Sequence, residues 1–245
     1  LWRQNYDPYF IVVSEIMLQQ TQTSRIEKKF PEFIAKFPSF KALANAQRVD
    51  VLTVWVGLGY NRRGVALHEI AKRVVTEFNN QLPDDVETLQ TFKGLGPATA
   101  ASIVTFAFNK PTIFIETNIR AVFLHSFYPN EDAVHDNMLL PLIEMTVDKI
   151  DPREWYYALM DYGVYLKKEF KNPSRKSKHY TAQSQFEGSD RQIRGAIIKL
   201  LTQKKQITGQ TLIKELVFDS NRIEEQCQKL VKEGIVLKAK NNFYL

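Results

Sequence analysis

The sequence predicts an all-α body of short helices around a tight helical hairpin, followed by a small winged-helix-like module. Three observations lead there. From Pro8 to about Ser126, apolar and amphipathic stretches alternate with Pro, Gly and Asn turns, and strand signals are weak. In residues 89–103, an apolar stretch runs into Gly94-Leu95-Gly96-Pro97 and out into another helix. After Gly188 the pattern changes to three amphipathic stretches and a closing β-hairpin.

In chain order, residues 10–22, 26–37, 40–45, 49–56, 64–78 and 86–91 read as helices from their apolar spacing. Pro31 and Pro38 punctuate the second of these, and Asn79-Asn80 with Pro83 ends the fifth. Residues 97–108, 117–127 and 151–168 follow, the last rich in Trp and Tyr. Between Lys167 and Lys178 there are six Lys or Arg and a single acid, Glu169. That stretch reads either as a basic surface loop facing a nucleic acid or as a solvated linker. In the last segment, residues 190–202, 210–217 and 220–233 are helical, with Ser220 as a cap. Gly234 ends the last of them, and residues 235–245 turn back at Asn241-Asn242 as a hairpin. Modules of this pattern bind DNA or protein. There is no internal repeat.

Composition bounds the function. Hydrophobic residues at 44% build a real core, so disorder is excluded. A net charge of +6 and a pI near 9.2 fit a nucleic-acid partner, though ribosomal, membrane-surface and ordinary soluble proteins share such values. One cysteine, Cys227, rules out an internal disulfide or a cysteine cluster and points to a reducing compartment. No apolar run approaches the roughly 18 residues that span a bilayer, and no signal peptide is visible. The expected location is cytoplasmic, nucleoid-associated in a prokaryote. The chain opens on Leu1-Trp2 rather than methionine, so preceding residues are expected.

Three groups of residues carry chemistry. In the hairpin, Gly94 and Gly96 permit a tight turn and Pro97 suits the first helical position. The turn then presents amide groups and a positive helix end to an anion such as a phosphate. An ordinary helix corner is the plainer alternative. Glu15 lies among Phe10-Ile11-Val12-Val13 and Ile16-Met17-Leu18, with only Ser14 as polar company. A carboxyl held against apolar walls stays protonated near neutral pH and can serve as an acid; the alternative places Glu15 on the helix's thin polar side. Glu116 follows the apolar run 113–115 and opens a helix, where the dipole favours its ionised form. By itself it reads as a cap. Together with Glu15 it makes an acid plus a carboxylate, the pair a glycosidic bond requires.

The series Trp2-Arg3, Pro8-Tyr9 and Ser14-Glu15-Ile16-Met17-Leu18-Gln19-Gln20-Thr21-Gln22 resembles the opening of the MutY-type adenine DNA glycosylases, in the helix-hairpin-helix (HhH-GPD) superfamily. The likeness continues in register through Trp55-Val56-Gly57-Leu58-Gly59-Tyr60, Leu67-His68 and the hairpin. It reaches Asn118-Ile119-Arg120-Ala121-Val122 and Ala158-Leu159-Met160-Asp161-Tyr162-Gly163, covering about residues 1–166. It implies a helix-hairpin-helix DNA glycosylase fold, two helical subdomains with a cleft between them, within residues 1–180. Residues 10–111 would form a six-helix barrel with the hairpin, 1–9 and 112–180 the second subdomain, and 188–245 the winged-helix-like domain.

The resemblance also implies roles. Glu15 matches the acid that protonates the departing base, Glu116 the second carboxylate, and Asn118 an asparagine near the attacking water. Trp2, Arg3 and Leu18 match the lining of a pocket for a flipped base, with Asp161 as an acidic neighbour. Gln20 and Tyr60 match residues that wedge into the duplex, and Lys93, Gly94, Gly96 and Thr99 belong to the phosphate-binding hairpin. The implied reaction is hydrolysis of an N-glycosidic bond at a mispaired base, adenine first, in double-stranded DNA by a monomer. Alternatives are a thymine or uracil mismatch glycosylase of the same superfamily and a non-catalytic DNA-binding protein.

Three departures stand out. Glu116 occupies a place that is aspartate in most relatives. The four cysteines that would follow Gly163 are absent, so no iron–sulfur cluster and no other metal is expected; only a monovalent cation at the hairpin stays open as a cofactor. The family's usual C-terminal domain is replaced by the winged-helix-like segment, which leaves 8-oxoguanine as opposing base undecided. Because each candidate catalytic residue precedes that segment, it is expected to be dispensable for chemistry. Bifunctional relatives carry a Schiff-base lysine where this chain has Ala98, so strand cleavage is not expected.

Overall fold

The computed structural model describes residues 2–245, the Trp2 side chain excepted. Contacts divide the chain into two compact units. The first contains residues 1–5, 12–82 and 184–245; the second contains 6–11 and 83–183.

In the first unit, the greater part of α1 (Pro8–Leu18) joins α2 (Thr23–Lys36), α3 (Phe40–Ala44), α4 (Arg48–Trp55) and α5 (Arg62–Glu77). Pro31 does not interrupt α2: it sits on the exposed face, where the lost N–H leaves no buried acceptor stranded. Ser39 caps α3 by accepting from Ala42 N at 3.2 Å. The packing of α5 turns on Gly64, where any Cβ would lie 2.9 Å from the buried Trp55 ring. The helix ends at two left-handed residues, Asn79 and Asn80.

Residues 184–245 complete the same unit. Helix α11 (Asp190–Lys204) packs on α4 and on α13 (Ser220–Lys232), with α12 (Gly209–Glu215) alongside α13. Asp219, not Ser220, caps α13, accepting from Arg222 N. The expected hairpin is present as β2 (Leu237–Ala239) and β3 (Asn242–Tyr244), and β1 (Gln206–Thr208) adds a third antiparallel strand in the order β1-β3-β2. This arrangement is a winged helix. Its core of Ile193, Ile197, Ile198, Leu201, Ile223, Cys227 and Leu230 also contains Leu52 of α4, and Arg48 donates to the Gly234 carbonyl at 2.8 Å. The segment therefore shares a core with 12–82, which differs from the free-standing domain expected from sequence.

The second unit contains α6 (Val86–Gln90), α7 (Pro97–Phe108), α8 (Thr117–Phe127), α9 (Asp136–Thr146) and α10 (Pro152–Glu169). Residues 83–111, expected with the first subdomain, thus belong here. Every residue of α7 from Ala100 to Phe106 is buried. Phe106 stacks on Tyr157 at 4.6 Å and Phe114 on Tyr156 at 4.0 Å, and the Tyr156 hydroxyl donates to Thr112 O at 2.8 Å. Helix α9 has no counterpart among the expected elements. Arg120 of α8 holds it by a two-pronged contact to Asp136, at 2.8 and 2.6 Å.

The basic stretch after Lys167 is not a solvated linker. It ends α10 and then forms a 3-10 turn at Pro173–Lys176, with Pro173 and Ser174 buried. The backbone of Val134 meets this turn through a parallel bridge to Ser177.

Candidate functional site

Helix α1 carries Glu15 in an apolar frame. From Ile11 to Met17 every residue is buried except Glu15, which is half-buried. Leu18 is also half-buried; the helix then stops, and Gln20 follows exposed with φ +53°. Tyr60, after the Gly57-Leu58-Gly59 turn, is half-buried with φ +46°. Both are left-handed conformations that a side chain disfavours by roughly 1 kcal/mol or more.

Arg63 holds both in place. The residue is only 7% exposed, and its guanidinium donates to Ile16 O and Met17 O at 3.0 Å, and also to Gln19 O. Those bonds come from Nη1; Nη2 donates to Leu58 O at 3.1 Å, Gly59 O at 3.2 Å and Thr21 Oγ1 at 3.0 Å. One side chain thus satisfies carbonyls at the C-terminus of α1 and in the turn before Tyr60. Burial lowers its pKa to about 10. The Tyr60 ring lies 5.4 Å from this guanidinium, and its hydroxyl accepts from Arg191 of α11 at 3.2 Å. Sequence reasoning did not single out Arg63 or Arg191. A signal existed for Arg63: it continues the buried stripe Leu67, Ile70 and Val74 on α5, so an arginine at that spacing marks a buried charge.

The hairpin forms as expected. Leu89, Phe92 and Leu95 bury the turn between α6 and α7, leaving Lys93, Gly94 and Gly96 exposed and Thr99 half-buried. Of the two glycines only Gly94, at φ +99°, is required by the backbone. Gly96 caps α7 in an ordinary extended conformation and without a side-chain hydrogen bond. A Cβ there would meet nothing within 4 Å, so no contact within the chain demands this glycine. What it leaves is open space at the positive end of a helix.

Glu116 is the N-cap of α8. Its Oε1 accepts from Asn118 N at 2.7 Å and Ile119 N at 2.9 Å, while Oε2 faces Asn118 Nδ2 at 3.4 Å. The capping reading is therefore correct, and the cap leaves one carboxylate oxygen beside the Asn118 amide. Lys167 of α10 donates to Asn118 Oδ1 at 2.7 Å. Burial lowers its pKa below the usual lysine range, opposed by the neighbouring Glu116 charge.

The structure thus brings Glu116 and Asn118 together and links Gln20 to Tyr60 through Arg63. Glu15 lies in the first unit and the Glu116–Asn118 pair in the second. Arg3 is half-buried in a short 3-10 turn, Asp161 is on the exposed side of α10, and the Trp2 side chain lies outside the described residues. An iron–sulfur cluster does not fit this chain: a four-cysteine set is required, and the one cysteine, Cys227, is buried in the winged-helix core with its thiol pushed up to about 11. Among the described residues no helix is long and apolar enough to cross a membrane.

The glycine turn between α6 and α7 is a helix-hairpin-helix. The family model for HhH-GPD superfamily base excision DNA repair proteins matches residues 13–139, and the chain belongs to that superfamily. It is 27% identical over 264 residues to an adenine DNA glycosylase of Mycobacterium tuberculosis (strain CDC 1551 / Oshkosh), covering 97% of this chain and 85% of that one. With an adenine DNA glycosylase of Mycolicibacterium smegmatis it shares 38% identity over 133 residues, 54% of this chain and 45% of the relative's length. Against that second relative the chain therefore spans less than half. A thermostable thymine-DNA glycosylase aligns in structure with a TM-score of 0.59 and 25% identity, over 66% of this chain and 76% of that one.

Proposed function

We propose that the protein is a monofunctional DNA N-glycosylase that releases a flipped, mispaired adenine from double-stranded DNA, acting as a monomer and without a metal or an iron–sulfur cluster. The observation that carries this reading is the Glu116 cap, a carboxylate anchored on two helix amides with its second oxygen beside an amide side chain. The match to adenine DNA glycosylases over nearly the whole chain supports it.

In this reading the α7 hairpin and Lys93 grip phosphates, with strong dependence on salt. Gln20 and Tyr60 fill the gap left by the extruded nucleotide, which leaves the stack most cheaply at a mismatch. Trp2, Arg3, Leu18 and Asp161 are the residues that match the family's lining of a pocket for that base. Protonated Glu15 gives its proton to the base, at adenine N7, and the C1′–N9 bond breaks with its electron pair leaving on the base. The sugar carries the positive charge, which ionised Glu116 stabilises. Water beside Asn118 then bonds to C1′, and the proton it releases restores Glu15. Ala98 offers no amine to the sugar, so the product is an intact abasic strand.

The test is single-turnover base release from a panel of duplexes carrying adenine, thymine or uracil opposite guanine, 8-oxoguanine and cytosine, with Glu15→Gln as control. Adenine release that Glu15→Gln abolishes without loss of DNA affinity is the expected result. Release of thymine or uracil instead, the reading favoured by the structural likeness to a thymine-DNA glycosylase, would replace the substrate. No release above background would make this a DNA-binding protein.

A further inference from the structure

Two elements converge on the start of α8. Helix α10 packs along α8, and at Gly163 the two backbones touch: a Cβ there would lie 2.3 Å from the Asn118 carbonyl oxygen. One turn further on, and on the same face, Lys167 reaches over the end of α8 to Asn118 Oδ1 at 2.7 Å. From the turn that follows α10, the buried Ser174 donates to the Thr117 carbonyl at 2.9 Å. The first turn of α8, which carries Glu116 and Asn118, is thus fixed by backbone contact, by a cation and by a hydroxyl.

We propose that Lys167 is a positioning residue for the Glu116–Asn118 pair, orienting the Asn118 amide by holding its oxygen. A primary amide has two unlike ends, and an ammonium donates only to the oxygen. With Oδ1 taken by Lys167, Nδ2 turns to the Glu116 oxygen that does not cap α8, at 3.4 Å. The carboxylate gains a donor that can shift to a water oxygen without the amide rotating, leaving the Glu116 oxygen to face a developing cation. The charged groups facing Lys167 are Glu116, which favours its ammonium, and Arg120, which opposes it and is itself paired with Asp136 of α9. When Lys167 loses its proton the amine can accept as well as donate, so it no longer selects the amide oxygen and the amide is free to flip.

This inference rests on the glycosylase reading for its rates, and on the unliganded protein for its geometry. Lys167→Met is expected to lower single-turnover adenine release by about 10- to 100-fold, the range for a misplaced group in an active site. DNA affinity should stay unchanged. Lys167→Arg should recover most of the rate and move the alkaline limb of its pH profile upward, because a guanidinium keeps its charge. Lys167→Met at the wild-type rate, or Lys167→Arg no better than Lys167→Met, would overturn the proposal. Independently of activity, NMR titration of the Lys167 side chain in DNA-free protein should give a lower midpoint in Asn118→Ala, which removes the acceptor favouring the charged form. An unmoved midpoint would also overturn it. Absence of base release by the wild-type protein would instead count against the glycosylase reading, leaving the titration to judge the contact.

Discussion

Replacing Arg63 by methionine tests the connection between α1 and the Tyr60 turn. The side chain volume is largely kept, but the carbonyls of Ile16, Met17 and Leu58 lose buried donors that now lie at 3.0 to 3.1 Å. At about 1 kcal/mol net for each, the loss is about 3 kcal/mol. For a chain of this size that corresponds to a fall in Tm of about 6–12 °C. The residues on either side of the knot are the more sensitive readout. Gln20 and Tyr60 hold strained left-handed conformations, and without the guanidinium the carbonyls beside each lose donors that help keep φ near +50°. Thermal unfolding followed by circular dichroism gives the stability, and single-turnover base release at saturating enzyme gives the chemistry. Arg63→Lys separates the two: an ammonium keeps the charge but cannot span both sets of carbonyls, so it should recover part of the Tm and little of the rate. An Arg63→Met protein that melts within about 2 °C of wild type and turns over normally would refute the argument.

Other outcomes follow from the same geometry. Glu116→Gln should slow base release by orders of magnitude, since a neutral amide cannot offset the developing charge. Glu116→Asp should also slow it, because the shorter side chain cannot both cap the α8 amides and present an oxygen to Asn118; an aspartate variant as fast as wild type would show the longer side chain is merely tolerated. Deleting residues 184–245 should destabilise rather than simply weaken DNA binding. It uncovers Leu52, which is 0% exposed and costs roughly 1.5–3 kcal/mol to return to water, and it removes Arg191 from Tyr60. A truncated protein with unchanged Tm and full single-turnover rate would restore the view of a dispensable tail. For Asp136, burial alone would raise the pKa, but the hydrogen bond and charge of Arg120, with His179 and His135, outweigh it and hold the carboxyl below its usual value. Its stabilising contribution is complete above the unfolded-state pKa and is lost as pH falls through the lower folded value. Asp136→Asn should accordingly flatten the acid limb of a Tm–pH curve, and an unchanged limb would exclude the contact with α9 as its source.

Much of this architecture was legible in the sequence because it is encoded locally. The limits of α7 and α8 coincide with those expected, since Pro97 and Glu116 mark their starts and Asn109 and Tyr128 their ends within one turn. The capping role of Glu116 was readable for the same reason. Helix α9 was not legible: Pro141 lies inside it, on the exposed face, and only Leu139 and Ile143 are buried. Strand β1 is three residues long, too short for alternation to register. Arg63 and Lys167 acquire their roles from partners remote in the chain, Ile16 and Asn118, and no periodicity reports such pairings. The attachment of residues 184–245 to α4 is equally non-local; Leu52 reads as an ordinary core position until Ile193 and its neighbours are found against it.

The contact at Gly163 also has a mechanical meaning. Hydrogen bonds stretch and bend within a few tenths of an ångström, but overlapping atoms repel steeply, so a backbone seated directly on another backbone acts as a hard stop. With a notional Cβ only 2.3 Å from the Asn118 oxygen, any larger residue at 163 would displace one helix by roughly 1 Å, enough to cost about a hundredfold in a positioned site. The location of the Glu116 carboxylate is therefore gauged by α10 across this contact, and not only by the irregular segment that leads into it.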